Sequence, residues 1–386
     1  MNHISVIMVC HLYPLADDEA ACGVSVGTQN LCRALQETGE VSLAVLRPLA
    51  PVPRPVTVTV NGVTVHALPR GATFPHAWTL LGRPVFQLRR ALRCLNPDIV
   101  HVQDSAWIAR WLPPPTLFTL RGMVERDMRF EPGKLAPRIK SRVLSITHGW
   151  ARRGIGNFIA ISPWAAAQMP PNPQRKTWQI PNPLSDACYQ VDNRPVHGRI
   201  LTACRVCRLK NIHGLIEAFA LLAKSVPGAE LRIAGGGHDP VYQQECLELS
   251  RTLGVAGRVH FLGWLGAEEL RGELARASVF ILPSFHENTP MSIAEAMAAG
   301  TPVAASRTGG VPWMLEDGRS GLLIEDPRDP GQIAAAALQA LEPETARKLR
   351  EAGKQRAEIF RAGRVAEQTL AVYREIVRTH RTAGAR

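Results

Sequence analysis

The chain has 386 residues, of which 46% are hydrophobic and 20% are charged. This length predicts two packed domains, and the composition is that of a globular enzyme, which excludes a disordered or low-complexity protein. The N-terminal apolar run lacks a basic leader, and no stretch reaches the roughly 20 apolar residues of a membrane-spanning helix. The eight cysteines are scattered, so we expect a reducing, cytoplasmic setting.

The formal charge of +12 is concentrated in the first half of the chain. Residues 1–196 contain 21 Lys or Arg and 12 Asp or Glu, whereas the remainder contains 24 and 21. The densest basic stretches are 83–93 and 121–153. This excess favours an anionic partner, namely a phospholipid surface, a lipid diphosphate or an acidic glycan. Nucleic acid is not predicted, because helix-turn-helix, RNA-binding and zinc-finger patterns are missing.

The first half alternates short apolar runs with helical patterns, which indicates a parallel sheet covered on both faces. A helix with Leu31, Ala34 and Leu35 on one face follows the first run. Two valine-rich runs flank Asn61-Gly62, a dipeptide that suits a two-residue hairpin turn. Strands are predicted at residues 4–9, 41–46, 56–60, 63–68, 98–102, 116–120 and 158–162.

A stretch rich in Pro, Asn and Asp, IPNPLSDACYQVDNRPVHG, indicates an interdomain linker. A second α/β series follows, and ligands of such sheets bind at the carboxyl ends of the strands. Its strands are predicted at residues 199–204, 231–234, 259–262, 279–283 and 303–306, with helices near 212–224, 242–253 and 290–299.

The segment from residue 279 to residue 312 carries the strongest chemical signal. Thr289 and Pro290 are predicted to open a helix, with Thr289 as its N-cap. The backbone N–H groups around Met291 and Ser292 would then lie at the positive end of a helix dipole, which suits a diphosphate.

Two carboxylates flank this anion site. Glu287 precedes the helix and Glu295 lies in its second turn. Carboxylates accept hydrogen bonds from neighbouring hydroxyl groups, so ribose and hexose are suitable partners for both.

The run from Glu287 to Glu295 resembles the E-x7-E motif of the retaining GT-B glycosyltransferases, the group 1 or family 4-like enzymes. Other sequence elements occur in the same order as in that family. The resemblance is strong after residue 199 and weak before it. The elements are ACGVSVGTQNLCRAL, IPNPLSD, ACRVCRLKN, LRIAGGGHD, VHFLGWL and AMAAGTPVAASRTGG.

The resemblance implies an α/β protein of the GT-B fold, with two Rossmann-like domains that face each other across a deep cleft. An acceptor-binding domain is expected at residues 1–185, a linker at 186–198 and a nucleotide-sugar-binding domain at 199–364. A C-terminal helix at 365–386 is expected to pack back on the first domain.

The resemblance also implies a metal-independent site without a cofactor, in which cationic residues bind the leaving diphosphate. Arg205 can bind phosphate as a planar fork and Lys210 as a point charge, and with Glu287 they are the catalytic candidates. Arg208 could compete with Arg205 for this role. The donor-binding candidates are Gly23, Arg205, Lys210, Gly235, Glu287, Asn288, Thr289, Pro290, Met291, Ser292 and Glu295.

The first half departs from the family pattern where the acceptor would bind. His101 is present, but Gln103 and Arg121 occupy positions where the family often has histidine. His101 could equally be a satisfied core residue, and Arg121 could recognise an anionic acceptor. A mechanism in which the leaving phosphate takes the acceptor's proton does not need a protein base.

The implied function is transfer of a sugar from a nucleotide-diphosphate donor, with a UDP-sugar favoured. The acceptor would be a glycan, a lipid-linked molecule or a small molecule, and the setting polysaccharide or glycoconjugate biosynthesis. The basic N-terminal domain would contact the inner face of an anionic membrane. Two alternatives remain, a sugar-nucleotide epimerase of the same fold and a non-catalytic sugar-nucleotide-binding protein.

Overall fold

A computed structural model describes residues 3–17, 22–70, 83–113, 115–123, 135–236 and 239–384. Part of the basic stretch at 121–153 and the last glycine of the LRIAGGGHD turn therefore lie outside the described residues. The chain divides into two compact units. Unit 1 comprises Met1–Met123, Arg142–Pro183 and Phe360–Arg386. Unit 2 comprises Leu184–Ile359 and residues 135–141, which form the first part of a helix that ends in unit 1.

Unit 1 is built on an eight-stranded sheet with the strand order β3-β4-β2-β1-β5-β6-β7-β8. Neighbouring strands are parallel except for the β3–β4 hairpin. Its elements are β1 (Ile4–Val9), α1 (Gly23–Glu37), β2 (Val41–Ala50), β3 (Val56–Val60), β4 (Val63–Pro69), α2 (Arg83–Leu95), β5 (Ile99–Gln103), α3 (Ala106–Trp111), β6 (Thr116–Leu120), α4 (Leu135–Arg153), β7 (Asn157–Ala160), α5 (Pro163–Ala167) and β8 (Lys176–Gln179).

The β3–β4 hairpin turns at the predicted dipeptide. Asn61 and Gly62 have φ values of 48° and 78°, the positive pair that a two-residue turn of this type requires. All seven predicted strands of this half are present, with ends displaced by a few residues, whereas β8 was not predicted.

Unit 2 is built on a six-stranded, wholly parallel sheet with the order β11-β10-β9-β12-β13-β14. Its elements are β9 (Arg199–Ala203), α6 (Ile212–Ser225), β10 (Glu230–Ala234), α7 (Pro240–Thr252), β11 (Val259–Gly263), α8 (Ala267–Arg276), β12 (Val279–Leu282), α9 (Met291–Ala298), β13 (Val303–Ser306), α10 (Val311–Met314), β14 (Leu322–Ile324), α11 (Pro330–Leu341) and α12 (Pro343–Ala357). The prediction of two Rossmann-like parallel sheets is confirmed.

The last helix, α13 (Ala362–Gly384), packs within unit 1. Together with α1 it covers one face of the first sheet, where Val6 and Met8 of β1 point. Helices α2, α3 and α4 cover the opposite face, onto which Ile7 and Val9 project. This alternation follows from the two-residue period of a strand, which sends successive side chains to opposite faces.

The described helices were considered as possible membrane-spanning segments. No helix in that part of the chain combines the length and the apolar composition needed to cross a bilayer.

His101 is the polar centre of the core between β5 and α13. Its ring is fully buried, with Nδ1 2.7 Å from the Tyr373 hydroxyl and Nε2 2.8 Å from Thr119 Oγ1. Burial, with a smaller contribution from the Arg121 charge, lowers the pKa of His101 to about 3. The imidazole is therefore neutral near pH 7, with both ring nitrogens engaged.

We predict that Tyr373→Phe lowers the free energy of unfolding by about 1–3 kcal/mol, because it leaves one buried ring nitrogen without its partner. Denaturant unfolding should detect the loss. Tyr189→Phe, which removes a hydroxyl that donates to the Ala357 carbonyl from a half-buried position, is the matched control and should cost less. An unchanged stability of Tyr373→Phe would contradict the assignment of His101 to the core.

Candidate functional site

The candidate donor site lies at the carboxyl edge of the unit 2 sheet. Strands β10, β9, β12 and β13 are neighbours in that order and run parallel, so the segments that follow them meet at one edge. Gly235 follows β10, Arg205 follows β9, Glu287 follows β12 and Gly309 follows β13. The structure thus gathers on one edge residues that are more than 100 positions apart in the sequence.

Lys210 and Glu287 form a buried ion pair at this edge. The Lys210 ammonium lies 2.5 Å from Glu287 Oε1, and the two side chains are only 13% and 9% exposed. Burial alone would lower the pKa of Lys210, but the Glu287 carboxylate outweighs it and the pKa is raised. The backbone supports the pair, because the Phe285 N–H donates to the Leu209 carbonyl at 2.9 Å. Lys210 is therefore held as a fixed positive charge.

Two glycines permit close backbone approaches around this pair. Gly309 has φ +57°, and a Cβ there would overlap the Glu287 carbonyl oxygen. Gly235 has φ +139°, and a Cβ there would overlap the Cys204 carbonyl oxygen beside Arg205. The contact at Gly309 is reinforced by the Gly310 N–H, which donates to the Asn288 carbonyl at 2.7 Å. Glycine is required at both positions because any side chain would displace the adjoining loop.

The helix of the motif begins one residue later than predicted. Pro290, with φ −67° and ψ 121°, occupies the N-cap position of α9, and no side chain caps the helix. The prediction of Thr289 as the N-cap is therefore wrong, because Pro290 itself has extended backbone angles. The consequence favours an anion site: the first-turn N–H groups of Met291 and Ser292 are not consumed by a side-chain cap.

Glu295 lies on α9 and is half-buried. Burial raises its pKa to about 7, and the positive charge of Arg271 on α8 opposes this shift only in part. No hydrogen bond or ion pair to this carboxylate is found within the described ranges. An acid retained in such surroundings without a partner is an acceptor group ready for ligand hydroxyls.

The two candidate arginines after β9 have different environments. Arg208 donates two hydrogen bonds to Glu245, at 2.6 and 2.7 Å, and lies over the Tyr242 ring at 5.0 Å. Arg205 is exposed, and no described residue forms an ion pair with it. Because Glu245 and Tyr242 already hold the Arg208 guanidinium and Arg205 has no ion pair among the described residues, Arg205 is the better of the two arginines for binding phosphate.

Gly23 is the donor-binding candidate from unit 1. It opens α1 in an exposed position, and a Cβ added there would meet nothing within 4 Å. The protein fold itself therefore places no demand for glycine at this position, unlike Gly235 and Gly309.

The three acceptor-side candidates are all buried within unit 1. His101 belongs to the core described above, and Gln103 is also fully buried. The Arg121 Nε donates to Gln103 Oε1 at 2.8 Å, and its Nη1 donates to Asn182 Oδ1. Nη1 also packs on Gly27, where a Cβ would lie 2.7 Å away. The hypothesis that Arg121 recognises an anionic acceptor loses its basis, because this guanidinium is committed to protein partners.

The sequence analysis missed a polar group at the carboxyl edge of the unit 1 sheet. His11 follows β1 and Asp104 follows β5, the strand that pairs with β1. Asp104 has φ +63°, and its Oδ1 accepts hydrogen bonds from the Arg121 and Gly122 N–H groups. Burial lowers the pKa of His11, which the Asp104 charge opposes and the Arg47 charge reinforces. The sequence signal for this group was a His and an Asp that each follow a predicted strand.

Metal ligation has no support in the described part of the chain. No group of three or more His, Cys, Asp or Glu side chains there could hold a metal ion.

Two family models match the chain. "Glycosyl transferase 4-like domain" matches residues 22–182, and "Glycosyl transferases group 1" matches residues 197–343. Each match falls largely within one of the two structural units. The fold is that of the GT-B glycosyltransferases, and the expectation drawn from the sequence is confirmed at this level.

Solved structures of this fold align over nearly the whole chain. Sucrose-phosphate synthase from Thermosynechococcus elongatus has a TM-score of 0.80 at 22% identity, covering 98% of this chain and 100% of that one. Anabaena HepE in complex with UDP and glucose has a TM-score of 0.74 at 15% identity, covering 97% and 100%.

Similarity to curated relatives is confined to part of the chain. A D-inositol 3-phosphate glycosyltransferase of Corynebacterium kroppenstedtii is 36% identical over 169 residues, which are 42% of this chain and 37% of that protein. The lipopolysaccharide core biosynthesis glycosyltransferase LpsE of Rhizobium meliloti is 36% identical over 126 residues, 33% of this chain and 34% of that protein. The chain thus matches only about a third of the length of these two relatives. With both family models matched, the chain belongs to the group 1 glycosyltransferases.

We predict that Gly309→Ala destabilises the protein and abolishes donor binding, because the added methyl displaces the Glu287 carbonyl and with it the Lys210 pair. The control is Gly254→Ala, which also has positive φ, +70°, but meets nothing within 4 Å. In the control, the free energy of unfolding should fall only by the backbone strain of about 1–2 kcal/mol. In Gly309→Ala it should fall by about 1–3 kcal/mol more, because of overpacking. Equal losses in denaturant unfolding would show that the close approach is unimportant.

The raised pKa of Glu295 gives a prediction for pH. Its folded-state pKa of about 7 exceeds the usual 4.5, so its ionisation opposes folding increasingly between these pH values. Glu295→Gln should therefore raise the Tm relative to the wild type by an amount that grows from pH 5 to pH 8. The same variant should bind donor about tenfold more weakly at pH 8, since a carboxylate hydrogen bond is lost.

Differential scanning fluorimetry at pH 5, 6, 7 and 8 would measure the first effect and calorimetry the second. The exposed Glu248→Gln is the control and should show neither. A Tm difference independent of pH would rule out the raised pKa.

Proposed function

We propose that the chain is a glycosyltransferase that moves a sugar from a nucleotide-diphosphate donor to a glycan, lipid-linked or small-molecule acceptor. The setting is polysaccharide or glycoconjugate biosynthesis, and the donor is held by unit 2. A UDP-sugar is the favoured donor. Support comes from the family membership and from the complex of Anabaena HepE, a protein of the same fold, with UDP and glucose.

The observation that carries the proposal is the cationic array at the edge of the unit 2 sheet. Arg205 is exposed and without an ion pair among the described residues, Lys210 is fixed by Glu287, and α9 begins four residues after Glu287. A diphosphate needs several positive groups in one place, and two side chains and a helix N-terminus supply them without a metal.

The chemistry follows from where charge develops. When the bond between the anomeric carbon and the donor phosphate oxygen breaks, the electron pair stays on that oxygen. Arg205 and Lys210 stabilise the negative charge that forms there. The acceptor hydroxyl oxygen bonds to the anomeric carbon on the same face, and its proton passes to the leaving phosphate oxygen. The configuration is retained and no protein base is required.

The two acids have separate roles in this proposal. Glu287 accepts hydrogen bonds from the donor sugar, and Glu295 accepts them from the ribose hydroxyls. The backbone from Asn288 to Ser292 holds the sugar and the phosphates. Ribose binding favours the ionised form of Glu295, so donor affinity should rise with pH through the region near 7.

Membrane contact belongs to the same proposal. The basic first half of the chain contacts an anionic membrane, where a lipid-linked acceptor would be located. The support is the charge distribution, with 21 Lys or Arg against 12 Asp or Glu over residues 1–196.

We predict that Arg205→Ala weakens donor binding about 10- to 100-fold, the equivalent of about 1.5–3 kcal/mol for a charged hydrogen-bonding group. The fold should be unaffected because this side chain is exposed. Calorimetric titration with UDP-sugars would measure the affinity. Arg251→Ala, which removes an exposed arginine of α7, is the matched control and should leave the affinity unchanged.

Product analysis separates the alternatives. Transfer to added acceptors with retained anomeric configuration supports the proposal. Isomerisation of the donor without an acceptor would indicate an epimerase, and tight donor binding without turnover would indicate a non-catalytic binding protein. The proposal fails if no nucleotide-sugar binds.

A further inference from the structure

Three tryptophans form a cluster at the surface of unit 1. Trp107 and Trp111 lie on α3 and Trp150 lies on α4, with ring centroids 5.5–6.3 Å apart. The Arg110 guanidinium stacks on the Trp150 ring at 3.9 Å. Trp111 and Trp150 remain substantially exposed rather than completing the core. Helix α2 joins the cluster, because Arg89 Nε donates to the Trp111 carbonyl at 2.7 Å.

Large apolar side chains extend this cluster across the surface. Ile146 of α4 is 69% exposed, Phe86 of α2 is 61% exposed, and Val143 is also exposed. On α4, Val143, Ile146 and Trp150 are spaced by three and four residues, so they share one helix face. Apolar side chains that are exposed together on one surface indicate an interaction site, unlike single exposed residues.

The charge of the same three helices has one sign. Helix α2 contains four Arg, α3 contains one, and α4 contains five Lys or Arg, while none of the three contains Asp or Glu. Arg90 and Arg142 are exposed, and no described residue forms an ion pair with either. Arg142 precedes Ile146 by four residues and so lies beside it on α4. Arg90 and Arg142 therefore direct positive charge outward, next to the apolar side chains.

We propose that this surface, formed by Phe86, Arg90, Trp111, Arg142, Ile146 and Trp150, binds an anionic phospholipid bilayer. Tryptophan is suited to the boundary between lipid headgroups and acyl chains, since its ring is apolar and its N–H is polar. Exposed Ile and Phe enter the acyl region, and the arginines bind lipid phosphates. The inference rests on the proposed membrane contact and assigns it to particular residues.

Charge and apolar exposure together select this partner. An acidic protein or a polyanion in solution would use the arginines but would leave Ile146 and Phe86 in water. A second copy of the chain would cover the apolar side chains but would bring two positively charged surfaces together, which is unfavourable. A bilayer that contains anionic lipid satisfies both features.

The test is co-flotation of the full chain with vesicles. One set contains phosphatidylcholine only and the other contains phosphatidylcholine with 30% phosphatidylglycerol as the chosen probe. We expect binding to the anionic vesicles and little binding to the neutral ones, weakened by 0.5 M salt. The double variant Ile146→Asp/Arg142→Glu should reduce the partition coefficient at least about tenfold, since each cation near the surface is worth roughly fivefold.

The matched control is Val241→Asp/Arg251→Glu on α7 of unit 2, which makes the same changes of charge at exposed positions. It should bind vesicles like the wild type, and both double variants should bind UDP-sugar like the wild type. If both double variants retain full vesicle binding, the surface is wrongly assigned although membrane contact stands. If the wild type fails to bind anionic vesicles, both claims fail.

Two further measurements complete the test. Thermal unfolding of the Ile146→Asp/Arg142→Glu variant should match the wild type, because both side chains are exposed. Sedimentation without vesicles should give a monomer. A dimer that the same double variant dissociates would overturn the proposal in favour of self-association. Loss of UDP-sugar binding in the wild type would instead contradict the proposed function and leave the membrane surface untouched.

Discussion

The ion pair between Lys210 and Glu287 is the constraint on which the candidate donor site depends. It joins the segment after β9 to the segment after β12, and neither side chain has enough water around it to hold its charge alone. The Glu287 carbonyl in turn needs glycine at position 309. The pair also determines what a ligand meets, because Lys210 is neutralised in part while the exposed Arg205 is not. A bound diphosphate would add the negative charge that this arrangement lacks.

Much of the fold could be predicted from the sequence, because parallel strands buried on both faces leave continuous apolar runs. The hairpin at Asn61-Gly62 and every predicted strand of unit 2 are examples. The grouping of the candidate donor-site residues could be predicted for a related reason. These residues follow strand ends, and their order along the chain identifies the edge of the sheet at which they meet. The E-x7-E spacing could be interpreted once a strand, a loop and a helix had been predicted around it.

What escaped prediction depends on contacts between distant residues. Nothing local shows that Arg208 is engaged by Glu245, 37 positions later, or that His101 pairs with Tyr373 across 272 positions. The error at Thr289 has a different origin, since cap preferences are averages and Pro290 adopted the extended angles itself. The exposed tryptophans of unit 1 were also missed. They lie on two helices that are separate in the sequence, and only the tertiary structure brings them onto one surface beside the arginines.

The central claim is that unit 2 carries a diphosphate site built from protein cations. Calorimetric titration of the wild type with UDP and with uridine 5′-monophosphate, at pH 8 in the presence of EDTA, tests it most directly. We predict that UDP binds without metal and at least about tenfold more tightly than the monophosphate, because Arg205 and Lys210 contact the additional phosphate. Equal affinities for the two nucleotides, or UDP binding that disappears with EDTA, would contradict the account.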